Sequence, residues 1–335
     1  MAVADKLNQT IGFLAVEEAT PYTAETLDAA LDGLNPYIGD GDPDPPEPIA
    51  FVYDGTIGNA AGSLAPQKRT TPSGRHRMGT FRCLPKGLDS AYNGSVIPPR
   101  EVHRMLKAAG FTATYSASPS HQWQFDPTAV GTTPTHLTLR QYAQGSIYNH
   151  TGVQCDWSYE TQGLGVPVWT FPYRGLVSAP SDGALAAITT LAPTVIPPVA
   201  GGMTVTINSV TTLVVRSVKY SRNRSLEPAR VALNVSGGHA GFIGGRYVPE
   251  WEVEVENPAR ATFDADALYA AGTNFGALFE FGATQYNRWK HGTVQGQIAD
   301  APTPGADGGL ATLTFKIRGY ASTPSANDAE YVLFN

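Results

Sequence analysis

The chain has 335 residues, with 23 lysines and arginines against 29 aspartates and glutamates, so its formal net charge is −6. Hydrophobic residues make up 42%, and no run approaches the about 18 consecutive apolar residues of a membrane-spanning helix. These values exclude a disordered polymer and a helical membrane protein. Because only 16% of residues are charged while 35 are glycine and 26 proline, we predict a globular, mainly β chain of about two domains.

The negative charge is concentrated at the N-terminus. Residues 1–54 hold eleven carboxylates and one lysine, whereas the rest of the chain carries a net charge of +4. No dense run of lysine and arginine is present, so sequence-specific binding of DNA is not expected. The first twenty residues lack the basic start and apolar core of a secretion signal, which predicts assembly in the cytoplasm. We interpret residues 1–54 as an acidic arm that reaches a neighbouring subunit or ring.

Residues 1–48 are predicted to hold one helix followed by an extended linker. Apolar spacing predicts the helix at 20–33, where Pro21 suits the first position and Gly33 the end. The sequence GDGDPDPPEP at 39–48 then combines prolines with mutually repelling carboxylates, which is typical of an extended connector.

Three aspartates in this connector, Asp40, Asp42 and Asp44, resemble the start of a calcium-binding EF-hand loop. The rest of the loop does not match, because Pro45 stands where the turn needs glycine and Phe51 where the bidentate glutamate is needed. A solvated linker is therefore the preferred interpretation.

Two folded domains are predicted, at residues 49–177 and 203–335, with an Ala/Pro/Gly-rich linker at 178–202 between them. In the first domain, apolar residues at helical spacing predict a helix at 99–111. Alternating patterns predict strands at 135–142 and 165–175.

The order of short motifs in the first domain is repeated in the second. The repeated pairs are LKAAG (106–110) with LYAAG (268–272), YNHTGVQ (148–154) with WKHGTVQ (289–295), and TFPYRG (170–175) with TFKIRG (314–319). The first copy has 21 extra residues after its helix, which we expect to form a loop. The pattern predicts a duplicated β domain with one helix in each copy, and the alternative is coincidence between two unrelated β domains.

The sequence contains no arranged catalytic or metal site. The nucleophile elbow, the Walker loop, the HExxH motif and the full GxGxxG motif are all absent, so we predict no enzyme, no cofactor and no metal. Cys83 and Cys155, the two cysteines, are interpreted as small buried hydrophobic residues. His150 and His291 occupy matching positions in the repeated motifs, and a structural hydrogen bond is the simpler interpretation of both.

One strand pattern carries electrostatic meaning. In EWEVEVE (250–256), a period of two puts Glu250, Glu252, Glu254 and Glu256 on one face and apolar residues on the other. This face is either an ordinary solvated surface or one that repels a polyanion.

Together these motifs resemble the tail tube proteins of long-tailed bacteriophages. VEEATPYTAETLDAAL (16–31) is similar to the opening of that family, PPREVHRMLKAAGF (98–111) to its helix, and TFPYRG (170–175) to its closing element, so the first copy carries the whole pattern over residues ~10–177. The second copy is weaker and keeps mainly the helix DADALYAAG (264–272).

The resemblance implies a mainly β fold, with two tandem tail-tube-like antiparallel β-sandwich or barrel domains that each have a flanking helix. It also implies a structural protein of the virion, whose rings stack into the hollow, siphovirus-like tail tube that conducts DNA to the host during ejection. With two domains per chain, three chains supply six domains, so we expect a homotrimeric ring with pseudo-sixfold symmetry. Expected partners are further copies of the chain, the tape measure, tail terminator and distal tail proteins, and DNA that passes without specific binding; no membrane partner is expected. The glutamates of residues 250–256 are the predicted lumen-facing strand.

Two alternatives remain open from the sequence. One is a related tail ring, an adaptor or completion protein, which would cap a tube instead of extending it. The other is a carbohydrate-binding β-sandwich protein, in which Trp123, Trp157 and Trp289 would lie at the surface and stack on sugars.

Overall fold

The computed structural model describes residues 12–36, 76–88, 90–118, 121–129, 132–143, 145–162, 164–178, 180–184, 186–189, 195–228, 242–323 and 326–335. The predicted connector at 39–48 and its aspartates lie outside these ranges. The described first half contains β1 (Gly12–Glu17), β2 (Gly33–Leu34), β3 (His76–Cys83), α1 (Arg100–Ala108), β4 (Phe111–Ser116), β5 (Gln122–Pro127), β6 (Leu137–Ala143), β7 (Ser146–Cys155), β8 (Ser158–Gln162), β9 (Val168–Val177) and β10 (Ser181–Asp182).

The described second half is also mainly β. It contains β11 (Thr204–Ile207), β12 (Val215–Ser221), β13 (Leu226–Pro228), β14 (Phe242–Gly244), β15 (Glu250–Glu256), α2 (Ala265–Ala271), β16 (Phe275–Phe281), β17 (Trp289–Ile298), β18 (Thr303–Asp307), β19 (Leu310–Tyr320) and β20 (Tyr331–Phe334). All strands except β13 and β14 belong to one antiparallel sheet that does not close on itself. The predicted mainly β class with minor helix is therefore confirmed, as are the predicted helix near 99–111 and the strands near 135–142 and 165–175.

The two halves pair their strands in the same order. In the first half the order is β1-β6-β7-β9-β3, and in the second it is β11-β16-β17-β19-β15. A short strand also pairs with each long one, β8 with β9 and β18 with β19. A helix precedes β6 in the first half and β16 in the second.

Among the described strands, two pairs join the halves directly. β8 pairs with β12 over five residues, and the C-terminal strand β20 lies between β17 of its own half and β5 of the first half. β5 lies in the 21-residue insertion that we expected to be a loop. That expectation is wrong, because alternate residues Trp123 and Phe125 bury their side chains and fix the insertion as a strand against β20.

The predicted helix at 20–33 is wrong. Asp32 accepts a hydrogen bond at Oδ2 from the backbone N of Asp28 (2.8 Å), and Oδ1 of Asp28 accepts one from the N of Ala30 (2.8 Å). Such side-chain bonds compete with helical backbone bonds. Tyr22, with a φ of 65°, also interrupts a right-handed helix.

The N-terminal segment is part of the first half. β1 pairs along its whole length with β6, and Arg104 of α1 binds the Asp32 carboxylate at 2.9 Å. Lys107, near the end of the same helix, pairs with Glu17. Residues 12–36 therefore do not form the free acidic arm that the charge distribution suggested.

The predicted linker at 178–202 is also packed where the structure describes it. β10 pairs with β7, and the N of Thr189 donates to the carbonyl of Ala29 at 3.0 Å. Val195 and Ala200 are buried. These contacts hold several points of the segment against the rest of the chain, while most of its described residues are exposed.

Glu101, in the first turn of α1, is a buried carboxylate that no sequence pattern predicts in the core. Burial raises its pKa to about 7, against the opposing effects of backbone N–H groups and of the Lys86 charge. A raised folded-state pKa means that ionisation destabilises the fold as the pH rises from about 4.5 to about 7.

We expect ionisation of Glu101 to lower the free energy of unfolding by about 3 kcal/mol across that pH range, measured as the difference between the pH profiles of wild type and Glu101→Gln. The difference is the relevant quantity because burial lowers the pKa of His103 to about 4, which adds an opposing pH dependence to both proteins. Urea titrations at pH 4.5, 6 and 8 measure it. The control is Asp300→Asn, which changes an exposed carboxylate and should keep the wild-type profile. Parallel profiles for wild type and Glu101→Gln would contradict the assignment.

Candidate functional site: a polar sheet face

One continuous sheet face, on the side away from the core, crosses from the first half to the second. It is formed by seven strands that are neighbours in the sheet, in the order β3, β9, β8, β12, β15, β19 and β18. Residues directly opposite each other in antiparallel strands share a face, so the register defines the rows. We call this surface the polar face. Its three rows are Arg82, Thr170, Ser158, Ser221, Glu250 and Arg318; then Glu160, Lys219, Glu252 and Lys316; then Ser217, Glu254, Thr314 and Thr303.

Aromatic residues cover the opposite side of the same strands. The row runs through Trp169, Tyr159, Tyr220 and Trp251, all of them buried. Tyr159 and Tyr220 stack across the junction between the halves, with ring centroids 5.3 Å apart. Hydrophobic burial of these rings orients the sheet and forces the intervening polar residues outward.

Acidic and basic side chains are interspersed on the polar face. Glu160 and Glu252 both face Lys219, Glu252 also faces Lys316, and Glu250 faces Arg318. Glu254 lies between Ser217 and Thr314, and Arg82 faces Thr170. Glu250 lies 2.5 Å from Arg318 and Glu252 lies 3.7 Å from Lys316. The hydrogen bonds that Arg318 donates to Glu250 raise the pKa of the Arg318 guanidinium further.

The glutamate strand predicted from residues 250–256 is therefore a real strand with its glutamates outward, but it is not an isolated ladder of negative charge. Glu254 lies near Ser217 Oγ at 3.4 Å, and Glu256 lies 3.6 Å from Arg216, which also pairs with Asp307. The sequence pattern identified the glutamates but missed Lys219, Arg216 and Arg318, because their pairing depends on strand register across the chain.

Below the aromatic row, a buried polar cluster ties the halves together. The carboxylate of Glu330 lies 2.6 Å from Arg222 Nε and accepts a hydrogen bond from the Tyr220 hydroxyl, and all three residues are fully buried. Burial alone would raise the pKa of Glu330, but the Arg222 charge and the neighbouring hydrogen bonds hold it below its ordinary value.

Arg222 and the nearby Arg224 also reach the C-terminal end of α1, which belongs to the first half. Arg222 donates to the carbonyl of Ala109, and Arg224 donates to that of Ala108 at 3.1 Å. Cations are favourable at a helix C-terminus, where the carbonyls lack helical partners. Burial lowers the pKa of Arg224 to about 10, so it remains charged at neutral pH.

His291 has a structural role in this cluster. Trp251 Nε1 donates to its Nδ1 at 3.1 Å, and burial lowers its pKa, which keeps it neutral. His291 is not the structural counterpart of His150, because the strand register places that counterpart two residues after His291. A bulge lies between His150 and Val153 in β7 and between Thr293 and Gly296 in β17, so His150 aligns with Thr293.

Other predicted residues are located as follows. Cys83 and Cys155 are buried free thiols, as predicted. Trp123, Trp157 and Trp289 are buried, so the expectation that they form a surface for stacking on sugars is wrong.

In the part of the chain that the structure describes, no group of three or more His, Cys, Asp or Glu side chains is arranged to hold a metal ion. Neither described helix has the length and apolar character needed to cross a membrane. Comparison with protein-family models and with curated proteins gives no match to this chain.

Proposed function

We propose that the chain is the tail tube protein of a long-tailed bacteriophage, a structural virion protein that assembles into stacked rings around a DNA-conducting lumen. The observation that carries the proposal is the polar face, a continuous sheet surface that crosses both halves without a break. A chain that lines a channel needs one extended polar wall backed by a rigid core, and the aromatic row supplies that core.

The chemistry of the polar face suits conduction of a polyanion. A wall with excess cations would bind phosphates, and each contact would have to be broken for DNA to advance. A wall with only carboxylates would repel DNA at entry. Glutamates interspersed with lysines and arginines give neither field, so we assign the lumen to the whole polar face and not to Glu250, Glu252, Glu254 and Glu256 alone.

The shared pairing order of the two halves supports a duplicated domain. Three such chains would supply six similar units around one axis, which gives a trimeric ring with pseudo-sixfold symmetry. The tape measure, terminator and distal tail proteins would then be the other partners, in the tail of the virion. The protein acts by assembly and needs no catalytic group or cofactor.

Size-selective labelling of assembled tubes tests the proposal. Glu252→Cys lies on the polar face, Asp266→Cys on the exposed side of α2, and the native cysteines are buried. In tubes, a maleimide carrying a large polymer should react with Asp266→Cys and not with Glu252→Cys, whereas a small maleimide should react with both.

In the unassembled chain, both variants should react with both reagents. Equal reaction of Glu252→Cys with the large reagent in tubes would contradict a lumen position. Single rings that never stack, seen by negative-stain microscopy, would favour the adaptor or completion protein.

A further inference from the structure

We infer that the outer edge of β18 is the strand edge through which one chain pairs with the first half of a second copy, in a head-to-tail contact where β18 takes the place of β8, and β3, the outermost described strand of the first half, takes the place of β12. This inference rests on the proposed ring and specifies which edges meet. It is drawn from strand correspondence within the chain.

The internal junction shows how a strand edge of the first half pairs with the second half. β8 pairs with β9 on one side and with β12 of the second half on the other. At this junction Glu160 faces Lys219, Tyr159 stacks on Tyr220, and the Thr161 hydroxyl bonds the backbone of Val218 at 3.1 Å. Main-chain pairing, a charge pair and ring stacking therefore act together.

β18 is the counterpart of β8. Ser158 of β8 faces Thr170 of β9, and Thr303 of β18 faces Thr314 of β19. The two long strands correspond, because Thr170 and Thr314 open the repeated TFPYRG and TFKIRG motifs. Yet β8 has a strand on its outer side, whereas β18 pairs only with β19 among the described strands, and all five of its residues are exposed.

The backbone of β18 shows which groups face outward. β18 and β19 are joined by the two-residue turn Gly308–Gly309, whose φ angles are 59° and 85°. In such a turn the flanking residues, Asp307 and Leu310, share a backbone hydrogen bond. Alternation along the strand then directs the N–H and C=O of Ala306 and the C=O of Pro304 to the outer edge.

Pro304 weakens this edge without blocking it. It stands where β8 has Tyr159, and it offers no N–H to a neighbouring strand. An edge with one missing donor pairs more weakly than the internal junction. Such an edge keeps newly made chains apart until their concentration is high, which protects them from uncontrolled association.

The β3 side of the first half suits this edge as a partner. β3 pairs only with β9 among the described strands, whereas its counterpart β15 has β12 on its outer side. A contact between two different edges is head-to-tail, and it forms a closed ring if the rotation closes.

The experiment compares three single variants by mass photometry over a concentration series, with circular dichroism to verify folding. Ala306→Pro removes the remaining outward N–H and should raise the concentration for half assembly by at least about tenfold. Ala306→Thr keeps that N–H and is the matched control, which should assemble as wild type does. Pro304→Thr restores a donor and should lower the half-assembly concentration severalfold.

The proline at 306 should fold, because the N–H that it removes points away from β19. Unchanged assembly of folded Ala306→Pro or of Pro304→Thr would overturn the assignment of this edge while leaving the proposed function intact. If the wild-type chain forms no ring at any concentration, the proposed function itself fails.

Discussion

Replacing Arg222 with methionine is expected to lower the free energy of unfolding by about 3 to 5 kcal/mol. Methionine approximates the length of the side chain but leaves the fully buried Glu330 carboxylate without its cation. It also leaves the carbonyl of Ala109, at the end of α1, without its donor. Arg222 and Glu330 lie 108 residues apart in the second half, and the carbonyl of Ala109 belongs to the first half. The loss should therefore weaken the junction between the halves as well as the core.

Urea denaturation followed by tryptophan fluorescence measures this effect, since Trp157 and Trp251 lie beside the cluster. The control is Arg260→Met, which breaks the exposed pair with Asp266 and should cost no more than about 1 kcal/mol. A double variant, Arg222→Met with Glu330→Leu, should recover part of the loss because no buried charge remains unpaired. A loss for Arg222→Met as small as that for Arg260→Met would refute the structural role of the cluster.

Leu333→Pro is expected to uncouple the two halves. Leu333 lies in the middle of β20, with Lys290 of β17 on one side and Gln124 of β5 on the other. Proline in a strand with neighbours on both sides removes a ladder hydrogen bond and distorts the pairing, which should cost more than about 3 kcal/mol. Since β20 forms one of the two junctions between the halves in the described part of the chain, unfolding should change from one transition to two.

Differential scanning calorimetry measures the number of transitions. The matched control is Leu333→Thr, which keeps the backbone N–H and a residue suited to strands, and which should unfold in a single transition. A single transition for folded Leu333→Pro, with the wild-type midpoint, would show that β20 does not join the halves energetically.

The sequence predicts the elements with strong local patterns. Alternation predicts β15, since one apolar residue separates each glutamate from the next, and the helix α1 follows from Val102, Met105 and Leu106, which are all buried. Gly110, with a φ of 90°, ends that helix as its position suggested. Such patterns depend only on neighbours along the chain, so they can be interpreted without the fold.

The features that connect distant segments could not be predicted in this way. Asp28 and Asp32 redirect the N-terminal segment from helix to irregular structure through side-chain bonds whose geometry the pattern does not contain. Arg222 and Glu330 look like ordinary polar residues until β12 and β20 lie together. The pairing of charges across the polar face likewise depends on register, because a shift of one residue would turn the Lys219 side chain into the core.

The mass and symmetry of a single assembled ring test the central claim most directly. Cryo-electron microscopy and mass photometry of purified chain should give a particle with a central hole, a mass of three chains of 35.6 kDa per ring, and six similar lobes that alternate in detail. The polar face should line the hole. A ring of six chains, or a particle without a hole, would contradict the proposed duplicated tail tube.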